Sequence, residues 1–259
     1  MIHIFLFLLT IISTLLVGGF WYSLSIMVIL LAHELGHFFM GLRYGVRVSP
    51  PFFIPFPFPP FGTLGAVIRM KSFMGHRRAL FDIGVAGPLM GLLFAIPAIV
   101  IGLKMSQIVG PEAVRLQGSS LGVPILFKMI QNVVLGNIPD DMDVLLHPIG
   151  YAGWVGLFVT SLNLLPAGQL DGGHIVYSLL GRRSSLVYMV TIGILAILCI
   201  AYNPQWTPLA ILLVFFGFRH PPTLDDHYPL GWKRRWIGIG MVVIFFLSFT
   251  PAPFPDYLP

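Results

Sequence analysis

Phe20-Trp-Tyr-Ser-Leu-Ser-Ile-Met-Val-Ile-Leu-Leu-Ala-His33-Glu34-Leu-Gly-His37-Phe-Phe-Met40 is the stretch on which the reading of this chain turns. It contains His-Glu-x-x-His, a pattern in which two histidines on one helix face bind zinc and the glutamate between them serves as general base. Positions i and i+4 are separated by about 6 Å of helical rise and a small rotation, so His33 and His37 can aim at one ion. Glu34 projects beside that ion rather than into its ligand shell. The residues from Gly19 to Ala32 carry no charge, and Glu34 is the first formal charge in the chain. Ionisable groups at bilayer depth are costly and mark functional sites. A zinc site inside an apolar span points to hydrolysis within a membrane.

The bulk composition agrees. Of the 259 residues, 56% are hydrophobic and 10% charged, with a mean hydropathy of +0.88. Soluble domains carry about 25% charged residues, so a water-soluble fold is excluded in favour of one integral membrane domain over 1–259. The net charge of +5 sits on residues flanking apolar runs rather than in a stripe, which argues against nucleic acid and for topological charge. Cys199 is the sole cysteine, so neither a disulfide framework nor a thiolate metal site is available. Met1-Ile2-His3 lacks the cation of a secretion signal, and the first apolar stretch is expected to be a retained span.

Seven apolar stretches are span candidates: 4–17, 20–40, 80–103, 148–165, 186–202, 208–218 and 236–249. The fold class expected is an all-α polytopic membrane protein with about six to seven transmembrane helices. A catalytic core at about 20–180 precedes accessory spans at about 186–250. With the N-terminus in the cytoplasm and alternating spans, 12 of the 15 basic residues fall on cytoplasmic loops, as the positive-inside rule requires. Those residues are Arg43, Arg47, Arg69, Lys71, Arg77, Arg78, Arg182, Arg183, Arg219, Lys233, Arg234 and Arg235. The outside loop holds Glu112, Arg115, Asp140, Asp141 and Asp143, with Lys104 and Lys128. The segment 124–135 is expected to be an interfacial helix. Pro50 to Pro60 is too proline-rich for a helix and is expected along the cytoplasmic interface, followed by a short strand or hairpin element ending at Thr63 to Lys71. Asp82 reads as a first-turn residue of the third span, favoured by the helix dipole.

A catalytic zinc takes three protein ligands and keeps a fourth position open. The second and fourth spans run in the same direction, which brings Asp171 to the depth of His37. Pro166, Gly168, Gly172 and Gly173 break the helix there, as is tolerated where backbone lines a cavity. Asp171 is thus the candidate third ligand, with helix capping as the alternative. His174 reads as a supporting residue, with a ligand role as the alternative, and His3, His76, His147, His220 and His227 read as interfacial.

Three blocks together resemble the site-2 protease family of intramembrane zinc metalloproteases: Ala32-His-Glu-Leu-Gly-His37, Asp82-Ile-Gly-Val-Ala-Gly-Pro-Leu-Met-Gly91, and Ser161-Leu-Asn-Leu-Leu-Pro-Ala-Gly-Gln-Leu-Asp-Gly-Gly-His174. The resemblance implies a three-span core holding one Zn2+ through His33, His37 and Asp171, with Glu34 as catalytic base and Asn163 facing the substrate or its oxyanion. It implies Gly87 and Gly91 as a close-packing face. The expected function is hydrolysis of a peptide bond in a transmembrane protein substrate near the cytoplasmic side, in regulated intramembrane proteolysis. The expected setting is the plasma membrane of a prokaryote, with the N-terminus and site toward the cytoplasm. The outside loop of about 44 residues is too short for the PDZ module of some relatives, and no segment suits a CBS module. A membrane metal-binding protein or transporter, and an inactive protease-like scaffold, are the alternatives.

Overall fold

The protein is described here from a computed structural model that covers residues 1–70, 75–110, 121–139, 141–202, 204–215, 223, 225 and 229–254. Lys71, Glu112, Arg115, Asp140, Arg219, His220, His227 and the end of the sixth stretch (216–218) lie outside the described residues.

Helix α1 (Ile2–Arg43) contains one non-helical residue, Gly19, with φ 73° and ψ −174°. That φ is open to glycine and strained for other residues. The chain reverses there: the Ser23 hydroxyl lies 2.7 Å from that of Thr14 and also meets the Ile11 carbonyl. In an unbroken helix, residues nine apart would be separated by about 13 Å. The first two apolar stretches are therefore the arms of a helical hairpin, 2–18 and 20–43. Helix α2 (Arg77–Lys104) returns beside the second arm and carries Pro88 and Pro97 in its interior. Strands β3 (Gln107–Val109) and β4 (Asp143–Leu145) pair antiparallel and bracket α3 (Ile125–Leu135), the short apolar helix expected there. Helix α4 (Pro148–Asn163) is enclosed by its neighbours, and α5 (Asp171–Leu180), α6 (Ser184–Ile197), α7 (Thr207–Phe215) and α8 (Trp232–Ser248) follow.

Among the described residues, each of the seven expected stretches holds helix over most of its length. By length and composition three helical segments suffice to cross a membrane: 2–43, which holds both arms of the hairpin, 77–104, and 171–201, which joins α5 to α6. Their outward side chains are large and apolar, Leu16, Leu93 and Ile200 among them. In water such faces would be an aggregation hazard; against acyl chains they are matched.

Strands β1 (Phe52–Pro55) and β2 (Thr63–Val67) form the expected hairpin. Its placement differs from the expectation of an interfacial loop. The Phe52 and Phe53 rings lie against His3 and Phe7, whereas Gly62 meets Ser13 and Phe61 meets Tyr22. From His3 to Ser13 the first arm rises about 15 Å, so the hairpin runs deep alongside it. Backbone polar groups at such depth need internal partners. The hydroxyls of Ser13, Tyr22 and Tyr151 donate to the carbonyls of Gly62, Phe61 and Pro60. Prolines have no N–H to satisfy, which is why this sequence can enter where an ordinary loop cannot.

The core centres on α4. Tyr22 stacks on Tyr151, Tyr151 on Trp154 and Trp154 on Phe158, with centroids 5.3–6.0 Å apart. Each such pair is worth about 0.5–1.5 kcal/mol beyond its area. At the far end α2 and α4 cross backbone to backbone: a Cβ at Gly102 would overlap Gly150, while one at Gly150 would sit 3.3 Å from Gly102. Gly102→Ala is therefore expected to destabilise the protein by about 1–3 kcal/mol, and Gly150→Ala by less. Thermal unfolding of the two variants in detergent measures the difference.

Candidate metal centre

His33 and His37 occupy successive turns of the second arm of α1, and Asp171 is the first residue of α5. Between α4 and α5 the chain makes a tight turn. Gly168 takes φ 54°, and a Cβ at Gly172 would overlap the Leu164 carbonyl. Local bonds from Leu165 N to Leu162 O and Ala167 N to Leu165 O satisfy backbone groups within this buried turn. This turn carries Asn163 and Asp171 to the same place, against α1. The capping alternative is not what the carboxylate does. Its Oδ2 lies 3.3 Å from His33 Nε2 and 3.2 Å from His37 Nε2.

The two Nε2 atoms are 3.1 Å apart. The three donors thus form a near-equilateral triangle with edges of 3.1–3.3 Å. Bonds of about 2.0–2.1 Å in tetrahedral coordination place ligand atoms roughly 3.3 Å from each other, so the triangle fits one small divalent cation. The tautomer fits as well. His37 Nδ1 lies 2.8 Å from the Ile83 carbonyl. Donation there leaves a lone pair on Nε2, facing a carboxylate and a second imidazole, an arrangement that a shared cation completes. Among the described residues this is the group of three or more His, Cys, Asp or Glu with converging donors.

Burial is high but uneven. The side chains of His33 and His37 are 6% and 8% exposed, and that of Asp171 is 13% exposed. Asn163 is half-buried at this more open edge, with Nδ2 3.3 Å from His33 Nε2. Glu34 is buried beside the histidines and lies outside the three-donor group.

Helix α2 supplies the wall. A Cβ at Gly87 would overlap the His37 ring, and one at Gly91 would lie 3.1 Å from His33 Nδ1. The expected small-residue face is present, and the imidazoles themselves are what it packs against. Gly36 of α1 likewise meets the Ala86 carbonyl. His174 is buried but points its Cβ at Gly84, outside the donor group. His76 and His147 accept from the backbone N–H groups that open α2 and α4.

Two features escaped the sequence reading. One is the Ile83 carbonyl, which no side-chain pattern reveals. The other is Asp82, the sixth residue of α2 and thus beyond its first turn, which pairs with Arg234 at 2.7 Å instead of with the helix dipole.

Residues 21–200 match Peptidase family M50. The chain belongs to that family. Over 230 residues it is 32% identical to "Probable zinc metalloprotease EGY1, chloroplastic" of Arabidopsis thaliana, covering 83% of this chain and 40% of that protein. "Probable zinc metalloprotease EGY2, chloroplastic" of the same plant is 28% identical over 230 residues, 86% of this chain and 40% of the relative. "Probable zinc metallopeptidase EGY3, chloroplastic" is 31% identical over 232 residues, 81% and 39% respectively. The chain thus spans about 40% of the length of these relatives.

The glycine wall makes a sharp expectation. Gly87→Ala should push the His37 ring aside and lower bound metal to well under one ion per chain. Gly193→Ala, with nothing near its added methyl, should leave metal content unchanged. Elemental analysis of the purified variants reads both.

Proposed function

We propose that this member of family M50 is an intramembrane zinc endopeptidase that hydrolyses a peptide bond within a membrane-spanning segment of its protein substrate. The observation that carries the reading is the buried triangle of His33 Nε2, His37 Nε2 and Asp171 Oδ2. Zinc, the metal named for the relatives, is the ion we infer for it, one per chain. Bound there, it would supply Lewis acidity for the scissile carbonyl and acidify a water molecule.

The chain's own residues supply the rest. Glu34 accepts a proton from the attacking water as the hydroxyl adds to the carbonyl carbon, then passes that proton to the leaving amine as the C–N bond breaks. Asn163, on the open edge, donates from Nδ2 to the carbonyl oxygen as negative charge builds there. His37 is kept in one tautomer by Ile83, and the wall of Gly87 and Gly91 keeps both rings from rotating away. A helical substrate must unwind to present a carbonyl. The β1–β2 hairpin, with Leu64 and Val67 exposed on β2, offers an extended edge to pair with the unwound segment.

We also infer which side the site faces. Arg43, Arg77 and Arg234 mark one end of the helices, joined there through Tyr44 and Asp82. His37 and His33 lie about 9 and 15 Å inside that end, at 1.5 Å per residue. Under the positive-inside rule this end is cytoplasmic or its topological equivalent, and cleavage occurs near it. The relatives' chloroplastic names run against the expected prokaryotic plasma membrane, so we infer a multi-pass membrane protein with its site toward the basic side.

The test is reconstitution of the purified protein with a single-span membrane protein in vesicles. Wild-type protein is expected to cleave it, while Glu34→Gln retains one metal ion and loses at least about 100-fold in rate. Cleavage by Glu34→Gln at the wild-type rate would remove Glu34 as the base. Zinc uptake into sealed vesicles without cleavage would favour transport instead.

A further inference from the structure

We propose that Arg234, on the C-terminal helix α8, is a positioning residue for the metal centre, acting through Asp82 on the orientation of His37. Arg234 forks onto the Asp82 carboxylate, Nε to Oδ1 at 2.8 Å and Nη2 to Oδ2 at 2.7 Å. The Tyr44 hydroxyl donates to the same Oδ2. A two-point guanidinium–carboxylate contact fixes direction as well as distance, which a lysine could not do.

What makes this pair more than a surface tie is the neighbour of Asp82. Ile83 follows it immediately, and the Ile83 carbonyl is the partner of His37 Nδ1 at 2.8 Å. Tyr44, which caps the end of the same helix, follows His37 by seven residues, about two turns. One short stretch of α2 thus holds α1 at two points, Tyr44 through Asp82 and His37 through Ile83. That stretch is in turn held by α8 and the residues before it. Arg78 Nε donates to the Pro229 carbonyl at 2.7 Å, and Gly238 packs on Phe81 and Leu179. Of these three contacts, Arg234–Asp82 bears on the residue adjoining Ile83.

Helix α8 lies outside the residues, 21–200, that match the family. The inference is therefore that a helix beyond the family's matched core completes the support of one of the metal ligands. Partners that orient a ligating imidazole typically affect metal affinity by about 10–100-fold. Without Arg234, Asp82 keeps a carboxylate in an apolar run with the Tyr44 hydroxyl as its partner. The first turns of α2 are then free to shift, and the Ile83 carbonyl moves with them.

This inference rests on the metal reading of His33, His37 and Asp171, and the experiment separates the two. Full-length protein in detergent is loaded with cobalt(II), whose visible absorption reports ligand geometry, and its affinity is measured against a chelator. Arg234→Gln is expected to weaken cobalt binding about 10–100-fold and to change the absorption bands. Arg78→Gln, which cuts the neighbouring contact at Pro229, is expected to leave the bands unaltered. If Arg234→Gln does not fold, Arg234→Lys serves, keeping the charge without the fork, with a smaller change of the same kind. Wild-type affinity and spectrum in the Arg234 variant, or an equal spectral change in Arg78→Gln, would overturn the proposal. Absence of cobalt binding by the wild-type protein would instead remove the metal reading itself.

Discussion

Three polar atoms from two distant segments meet within 3.3 Å inside a bundle of apolar helices, and the rest of the structure is arranged around that meeting. A carboxylate and two imidazoles in such surroundings are expensive to bury apart. Brought together around one cation, each supplies part of the other's solvation. Convergence demands a backbone close enough not to prop the rings open. The glycines of α2 meet that demand, with Gly87 against His37 and Gly91 against His33. The turn at 164–170 meets the other half of it, reversing the chain so that Asp171 begins a helix already facing α1.

The same rule, that polar groups at depth must find partners within the protein, explains the β1–β2 hairpin. Its carbonyls are taken by Ser13, Tyr22 and Tyr151, and its prolines lack the donors that would otherwise need partners. A proline- and phenylalanine-rich segment is thereby suited to lie beside a helix inside the bilayer, close to the aromatic stack through Trp154 that holds α4 in the centre.

Much of this was legible in the chain. His33 and His37 announce themselves by spacing and by the uncharged run before them, and Asp171 by a glycine-rich break at matching depth. The small residues Gly87 and Gly91 were readable as a packing face, but not that the metal ligands would be what they face. Pro50 to Pro60 was readable as non-helical; its depth was not, because apolar side chains suit both an interface and an interior. Asp82 was misjudged by a few residues of helix start. A carboxylate beyond the first turn of an apolar helix needs a cation, and the cation came from residue 234, a separation that no local pattern spans. Backbone acceptors such as the Ile83 carbonyl leave no trace in side-chain sequence at all.

X-ray absorption at the zinc edge on the purified wild-type protein tests the central claim most directly. The account requires one zinc per chain, coordinated by nitrogen and oxygen in a shell containing two imidazoles and no sulfur, and loss of that signal on Asp171→Ala. A zinc shell containing sulfur from Cys199, or one left intact when Asp171 is replaced, would contradict it.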